Sequence, residues 1–267
     1  MKSMSCIVGK IGQNVRIYEN VKIGEDVTIG DNTIIYDNVE IGDNCFIGPN
    51  CILGEPLATF YHQKHYKNLT LKIGGNSIIR SDSILYAGSF FGEGFETGHR
   101  VTIREHSHFG EHCRVGTLSD IQGYVKIGKY CRFHSNVHIG QKSTIKDYVW
   151  IYPYVVLTND PHPPSDCIQG PTIEEYAVIA TGAIIMPRIK VGRDSLVGAQ
   201  ALVNKDVPPE TVVAGVPAKV LCSIYDIKCK EGKLDKPYPW RAHYSKGYPW
   251  EEREKHKAKR VNKTRKS

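Results

Sequence analysis

The 267-residue sequence has no Cys-x-x-Cys pair, and none of its eight cysteines sits in the spacing of a zinc ribbon or a redox motif. It also lacks any apolar run long enough to span a bilayer or act as a secretion signal. A cytoplasmic chain with no membrane partner is the expectation. Net charge is scarce outside the C-terminal tail. Residues 251–267 hold eight Lys or Arg against three Glu, a surplus of five, so the other 250 residues carry only +2 of the total +7. That leaves no basic face for nucleic acid. The tail reads as a solvated, partly helical end, with a polyanion-binding arm as the alternative.

What is present is a repeat. Aliphatic or aromatic residues lead hexads at Ile11, Ile17, Ile23 and onward to Leu53, at Ile73 to Leu157, and at Ile173 to Val203, giving 29 hexads with one polar lead, Thr97. Glycine is frequent directly after the lead (Gly12, Gly24, Gly30, Gly42, Gly48, Gly128, Gly140, Gly192), and a small or β-branched residue follows four after it. Cys45, Cys51, Cys113 and Cys131 fall in that second slot, where a thiol packs as a small hydrophobe. A helix needs apolar residues three or four apart, and a flat strand needs strict alternation. Period six, with two inward residues and a turn per hexad, instead builds the sides of an all-β prism whose coils stack at the ~4.8 Å inter-strand spacing.

The hexads, together with Ile-Met-Pro-Arg-Ile-Lys-Val-Gly at 185–192 and Ala-Gly-Val-Pro-Ala-Lys at 214–219, resemble the left-handed parallel β-helix (hexapeptide-repeat) acyltransferases over residues 7–222. The resemblance implies left-handed coils, against the usual right-handed crossover. It further implies acetyl-CoA as co-substrate, and a homotrimer with sites between subunits. The expected organisation is a β-helix domain over 1–222, interrupted by loops at 54–72 and 158–172, then an arm and basic tail over 223–267. The arm carries Lys236-Pro-Tyr-Pro-Trp-Arg and Gly247-Tyr-Pro-Trp. Loops extruded from a rigid scaffold are where binding chemistry concentrates.

Acyl transfer from a thioester to an amine needs a neutral amine, a donor for the developing oxyanion and a thiolate leaving group. The densest polar cluster is Arg132, His134, Ser135, Asn136 and His138. His134 follows a lead residue where glycine is common, so it is the candidate base or orienter, or else a corner histidine with no catalytic duty. Asn159, opening the second loop, is the candidate amide donor. The stretches 97–105 and 116–123, with Gly54-Glu-Pro, 135–142 and 156–161, are similar to the branch that acetylates dTDP-linked 3-amino-3,6-dideoxyhexoses. For that branch a mechanism without a protein base has been proposed.

On that resemblance His99, Arg104, Glu105 and Asn136 would hold the nucleotide-linked sugar, although Arg104 and Glu105 could equally form a structural ion pair. Ala180, Gly182, Gly198 and Ala199 would line a channel for the pantetheine arm, and Lys205 and Lys219 would meet its phosphates. Small residues also simply permit coil turns. Three rivals stand beside this reading: a zinc hydratase using the histidines at 99, 106, 108, 112, 134 and 138, an O-acetyltransferase with a true base, and a non-catalytic β-helix spacer. No metal site is expected.

Overall fold

Each hexad folds as one short strand and one turn. The computed structural model, which describes residues 9–63, 65–232 and 235–244, is a left-handed parallel β-helix of about 11 turns. Its strands form three sheets of 12, 10 and 9 strands, one for each face of a prism. The first face starts at Lys10–Ile11, the second at Arg16–Ile17 and the third at Lys22–Ile23. Each strand pairs in parallel with the one a full coil later: Lys10 lies opposite Thr28, Arg16 opposite Ile34 and Lys22 opposite Glu40. Only Lys219–Ser223, closing the last coil, runs antiparallel, against Thr211–Ala214.

The core is the stack of lead residues plus the second inward slot. Ile29, Ile47, Ile79, Ile103 and Ile139 are fully buried, and Phe91, Phe95 and Phe109 meet ring to ring at 4.5–5.3 Å. Cys45, Cys51, Cys113 and Cys131 are buried in that second slot. Burial raises the thiol of Cys51 to about 11, which keeps it protonated and unreactive. Thr97, the polar lead, is buried as well; its hydroxyl accepts the backbone N–H of Arg80 at 2.9 Å, replacing a ladder bond.

Turns require a left-handed residue three positions after the lead. Asn14, Asn20, Asp26, Asn32, Asn38 and Asn44 fill it in the early coils with φ of 52–62°. Asn and Asp tolerate this conformation. From His112 on, bulky residues take the same place on the corner between the third and first faces. His112, Tyr130, Tyr148 and Tyr176 stack at 5.1, 5.1 and 5.0 Å. Stacking worth ~0.5–1.5 kcal/mol per pair offsets the ~1–2 kcal/mol cost of each left-handed backbone. The glycine after the lead has a separate reason. A Cβ on Gly116 would lie 2.4 Å from the His134 carbonyl carbon in the next coil.

Both insertions leave from one corner, between the second and third faces, and both are shorter than the broken phase suggests. Gly54 and Glu55 stay in the strand Ile52–Glu55, where a bulge sets Glu55 opposite Tyr86, and Leu71 and Lys72 already pair with Val39 and Glu40. The first loop is therefore 56–70. Thr172 pairs with Thr144, so the second is 158–171. In the arm, the described residues hold 3₁₀ turns at Ile224–Asp226 and Trp240–Ala242 and no α-helix; the basic tail at 251–267 lies outside the described residues.

Candidate functional site

The hexad register sorts the candidate residues onto two edges of the second face. His99, His134, Asn136, Ala180, Gly182, Gly198 and Ala199 follow first-face strands and occupy the corner that leads into the second face. Arg104, Glu105, Asn159 and Lys205 follow second-face strands and occupy the opposite corner. Lys219 stands apart, exposed at the start of the closing antiparallel strand. The edges are separated by one six-residue side, at most ~20 Å at ~3.3 Å per residue.

On the first edge, the His134 imidazole stacks on Tyr152, one coil later, at 4.6 Å and 15°. Trp150 lies 6.4 Å away. Burial disfavours the imidazolium and lowers the His134 pKa below its ordinary value, so the ring is neutral near pH 7. Beside it a groove of about 230 Å³ is lined by Arg80, Glu96, Arg114, Thr117 and Ser135 among others. Arg114 is held there by Glu96 at 2.9 Å. His99 meets Ser81 Oγ through Nδ1 at 2.7 Å. Asn136 is a left-handed turn residue with φ of 59°, which gives it a backbone reason to be asparagine. Gly182 has φ of 71°, and a Cβ on Gly198 would lie 2.8 Å from that of Ala214, so both glycines have backbone reasons too.

On the second edge, Arg104 grips Glu105 with two bonds of 3.1 and 3.0 Å, the ion pair raised above as the structural alternative. Arg104 also reaches Gln122 Oε1 at 3.4 Å. Asn159 sits against Gly140, where an added Cβ would come within 3.0 Å of its own Cβ, and its carbonyl accepts the N–H of Gln169 at 2.8 Å. Asp160 shapes the loop by accepting from Ser165 Oγ at 2.6 Å and from the Ser165 N–H at 2.9 Å.

Between the edges lies a pair that hexad reasoning overlooked. His138 Nδ1 is 3.1 Å from Asp120 Oδ2, both side chains being 43% exposed on the outer side of the second face. Gln122 donates to the same carboxylate oxygen at 2.8 Å. The bond from His138, followed by that from Gln122, holds the Asp120 carboxyl below the usual range. A carboxylate on Nδ1 fixes the tautomer and leaves Nε2 as a proton acceptor toward solvent. Asp120 and His138 are 18 residues apart, and an eighteen-residue reading frame in place of six would have exposed the pair. Among the described residues no group of three or more His, Cys, Asp or Glu is arranged to hold a metal ion. His106 and His112 serve as rungs against Tyr124 at 4.8 Å and Tyr130 at 5.1 Å. No helix among the described residues is long and apolar enough to cross a membrane.

Residues 9–39 and 20–55 match the family described as bacterial transferase hexapeptide (six repeats). The chain is 34% identical over 132 residues to serine acetyltransferase of Mycobacterium tuberculosis, covering 48% of this chain and 54% of that protein. It is 33% identical over 119 residues to galactoside O-acetyltransferase of Escherichia coli K12, covering 36% of this chain and 59% of that protein. It is 29% identical over 161 residues to an Escherichia coli chloramphenicol acetyltransferase, covering 57% of this chain and 67% of that protein. The chain thus spans little more than half the length of the first two relatives. Over residues 9–55 the chain is similar to hexapeptide-repeat transferases, its fold is the left-handed parallel β-helix, and the three relatives above are acetyltransferases by name.

Proposed function

We propose that this chain is an acetyl-CoA-dependent acetyltransferase acting as a homotrimer on the amino group of a nucleotide-linked 3-amino-3,6-dideoxyhexose. The observation that carries acyl transfer is the half-buried imidazole of His134, on a corner where the flanking Phe133 and Ser135 line the groove, in a chain similar to proteins that are acetyltransferases by name. In the reaction the amine lone pair attacks the thioester carbonyl, the C–S bond breaks, and the sulfur leaves with its electron pair. The proton shed by the new amide nitrogen ends on the thiolate, directly or through His134. Asn159 would donate to the carbonyl oxygen as it gains charge. Ala180, Gly198 and Ala199 would border the pantetheine path, with Lys205 and Lys219 at the phosphates.

His134 and Asn159 lie on opposite edges of one face, so a site that uses both draws them from two copies. The outer side of the second face favours such packing. Its outward strand positions hold Ile34, Ile52, Ile84, Val156, Ile184 and Leu202 beside Arg16, Thr102, Asp120 and His138, whereas the third face has Lys22, Glu40, Lys72, Phe90, His108, Lys126, Thr144, Thr172 and Lys190. Covering those aliphatic positions with a second copy removes them from water.

A hydroxyl acceptor is the second reading, favoured by the Asp120–His138 pair. A sugar amine titrating near ~8 is already partly neutral at pH 7, whereas a hydroxyl needs a base. The test is CoA release by the purified chain over nucleotide amino sugars, free sugars, serine and chloramphenicol. Turnover confined to nucleotide amino sugars supports the first reading, and turnover confined to hydroxyl acceptors the second. No release with any acceptor overturns both. Light scattering on an active sample checks the trimer; a mass near the 30.0 kDa of one chain refutes it.

A further inference from the structure

The C-terminal arm folds back onto the first face and roofs a cavity of about 210 Å³. Five of its seven lining residues are aromatic: Trp150 and Tyr152 from the β-helix, and Tyr238, Trp240 and Tyr244 from the arm. The arm is latched beside it. Trp240 Nε1 donates to the Tyr176 carbonyl at 2.9 Å, and Arg241 clasps Asp194 with bonds of 2.8 and 3.1 Å. Asp194 has a fully buried side chain, and Arg241, with Arg193 farther off at 3.6 Å, neutralises its carboxylate. The arm therefore holds its aromatic residues in a fixed place over the first face.

We infer that this cavity binds a nucleobase. Walls made almost wholly of rings suit a flat π-face rather than an aliphatic chain, because stacked and edge-to-face arrangements are the favoured contacts between rings. The walls already show that geometry, with Trp240 edge-on to Trp150 at 5.7 Å. The space is adequate, since an apolar cavity of ~150 Å³ accepts benzene. The position fits as well. Tyr152, one wall of the cavity, stacks on the His134 ring at 4.6 Å, and Ala180 follows Tyr152 one coil later on the same corner. A ligand with its base in the cavity would extend its other end along the edge that holds His134. The assignment of ligand rests on the proposed acetyl transfer, in which both substrates carry a base at the end remote from the reacting group. Adenine of CoA and the pyrimidine of the nucleotide sugar share the required chemistry.

Trp150 and Trp240 are two of the three tryptophans in the chain, so binding can be read directly from fluorescence. The full-length protein would be titrated with thymidine diphosphate and with CoA, and with pyrophosphate and pantetheine as base-free counterparts. Saturable quenching by one or both base-bearing ligands, with none from the base-free ones, is the expected result; which ligand quenches identifies the base. Trp240→Ala, followed by calorimetry, and Asp194→Asn, which unlatches the arm while keeping both reporters, should each weaken that binding tenfold or more. Tyr244→Ala serves if either variant fails to fold. Equal binding of base-free ligands, or an affinity within twofold of wild type in the folded variants, overturns the assignment. Quenching needs no turnover. A chain that binds bases yet acetylates nothing would sink the proposed function and leave this site standing, and an active chain without base-dependent quenching would do the reverse.

Discussion

Replacing His134 tests whether the imidazole takes the acceptor's proton. Two variants separate chemistry from packing: His134→Ala removes base and ring, while His134→Phe keeps a ring to stack on Tyr152 at the observed 4.6 Å. If His134 is the base, both lose kcat by about a hundredfold, the lower end of general-base effects, because an imidazole made less basic by burial is a weaker acceptor. The loss should shrink with pH. An amine with a pKa of ~8 is about one-tenth neutral at pH 7 and nine-tenths neutral at pH 9, so the deficit in kcat/KM narrows by nearly tenfold over that range. Wild-type activity should also persist toward acid, since the neutral imidazole survives to a pH below its ordinary value, and should fall only there. The assay is CoA release from pH 5 to 9 at saturating acetyl-CoA. Rates within threefold of wild type in both folded variants between pH 6 and 9 would refute the role and leave the thiolate as proton acceptor.

Three further outcomes follow from the geometry. Asn68→Ala should cost ~1–3 kcal/mol in thermal unfolding, because the side chain of Asn68, a buried residue of the first loop, donates to the Gly54 carbonyl at 2.7 Å and accepts from Tyr66 at 3.1 Å; an unchanged melting point refutes this. The lowered pKa of Asp120 adds stability that is present above the unfolded value of ~3.9 and lost as pH falls through the lower folded value. Asp120→Asn should therefore destabilise by under ~1 kcal/mol at pH 6, the pair being partly exposed, and not at all near pH 2, as read by melting curves. Co-expressed His134→Ala and Asn159→Ala chains should recover about a quarter of wild-type activity, because one intersubunit site in four then takes an intact residue from each neighbour. No recovery, with each variant inactive alone and trimers intact, refutes the shared site.

The fold was legible because each hexad states its own geometry. A lead aliphatic, a glycine that admits the next coil and an asparagine for the left-handed turn recur together, and even Thr97 proved inward and buried. Loop boundaries were less legible. Glu55 and Leu71 remain in strands although their neighbours break the phase, because backbone pairing tolerates a bulge that a side-chain pattern does not record. The site was legible only as a set of residue types. His134 and Asn159 look like neighbours in a list of polar residues, yet the register puts them on different corners. Asp120 and His138 are remote in sequence, but a coil of 18 residues stacks them at 3.1 Å. The arm was least legible. Its Trp240 and Arg241 find partners 64 and 47 residues away, and no periodicity announces that.

The two loops bear on where catalysis can sit, because a β-helix offers each coil three equivalent corners and both insertions use the same one. The second-face strands Ile52–Glu55 and Val156–Leu157 that precede them are five coils apart, ~24 Å along the prism at ~4.8 Å per coil. Between them that corner carries Tyr86, Arg104 and Gln122 directly after successive second-face strands, with the Asp120–His138 pair on the adjoining face. An extended ligand with a sugar and two phosphates would lie along such an edge with a loop at either end. The opposite edge has no insertion but carries the neutral His134, the small residues above it and the roofed aromatic cavity. Copies packed through the aliphatic positions of the second face would bring a loop-bearing edge of one against the His134 edge of the next. Under the proposed function the acceptor sugar would lie on the loop-bearing edge and the acyl donor on the His134 edge.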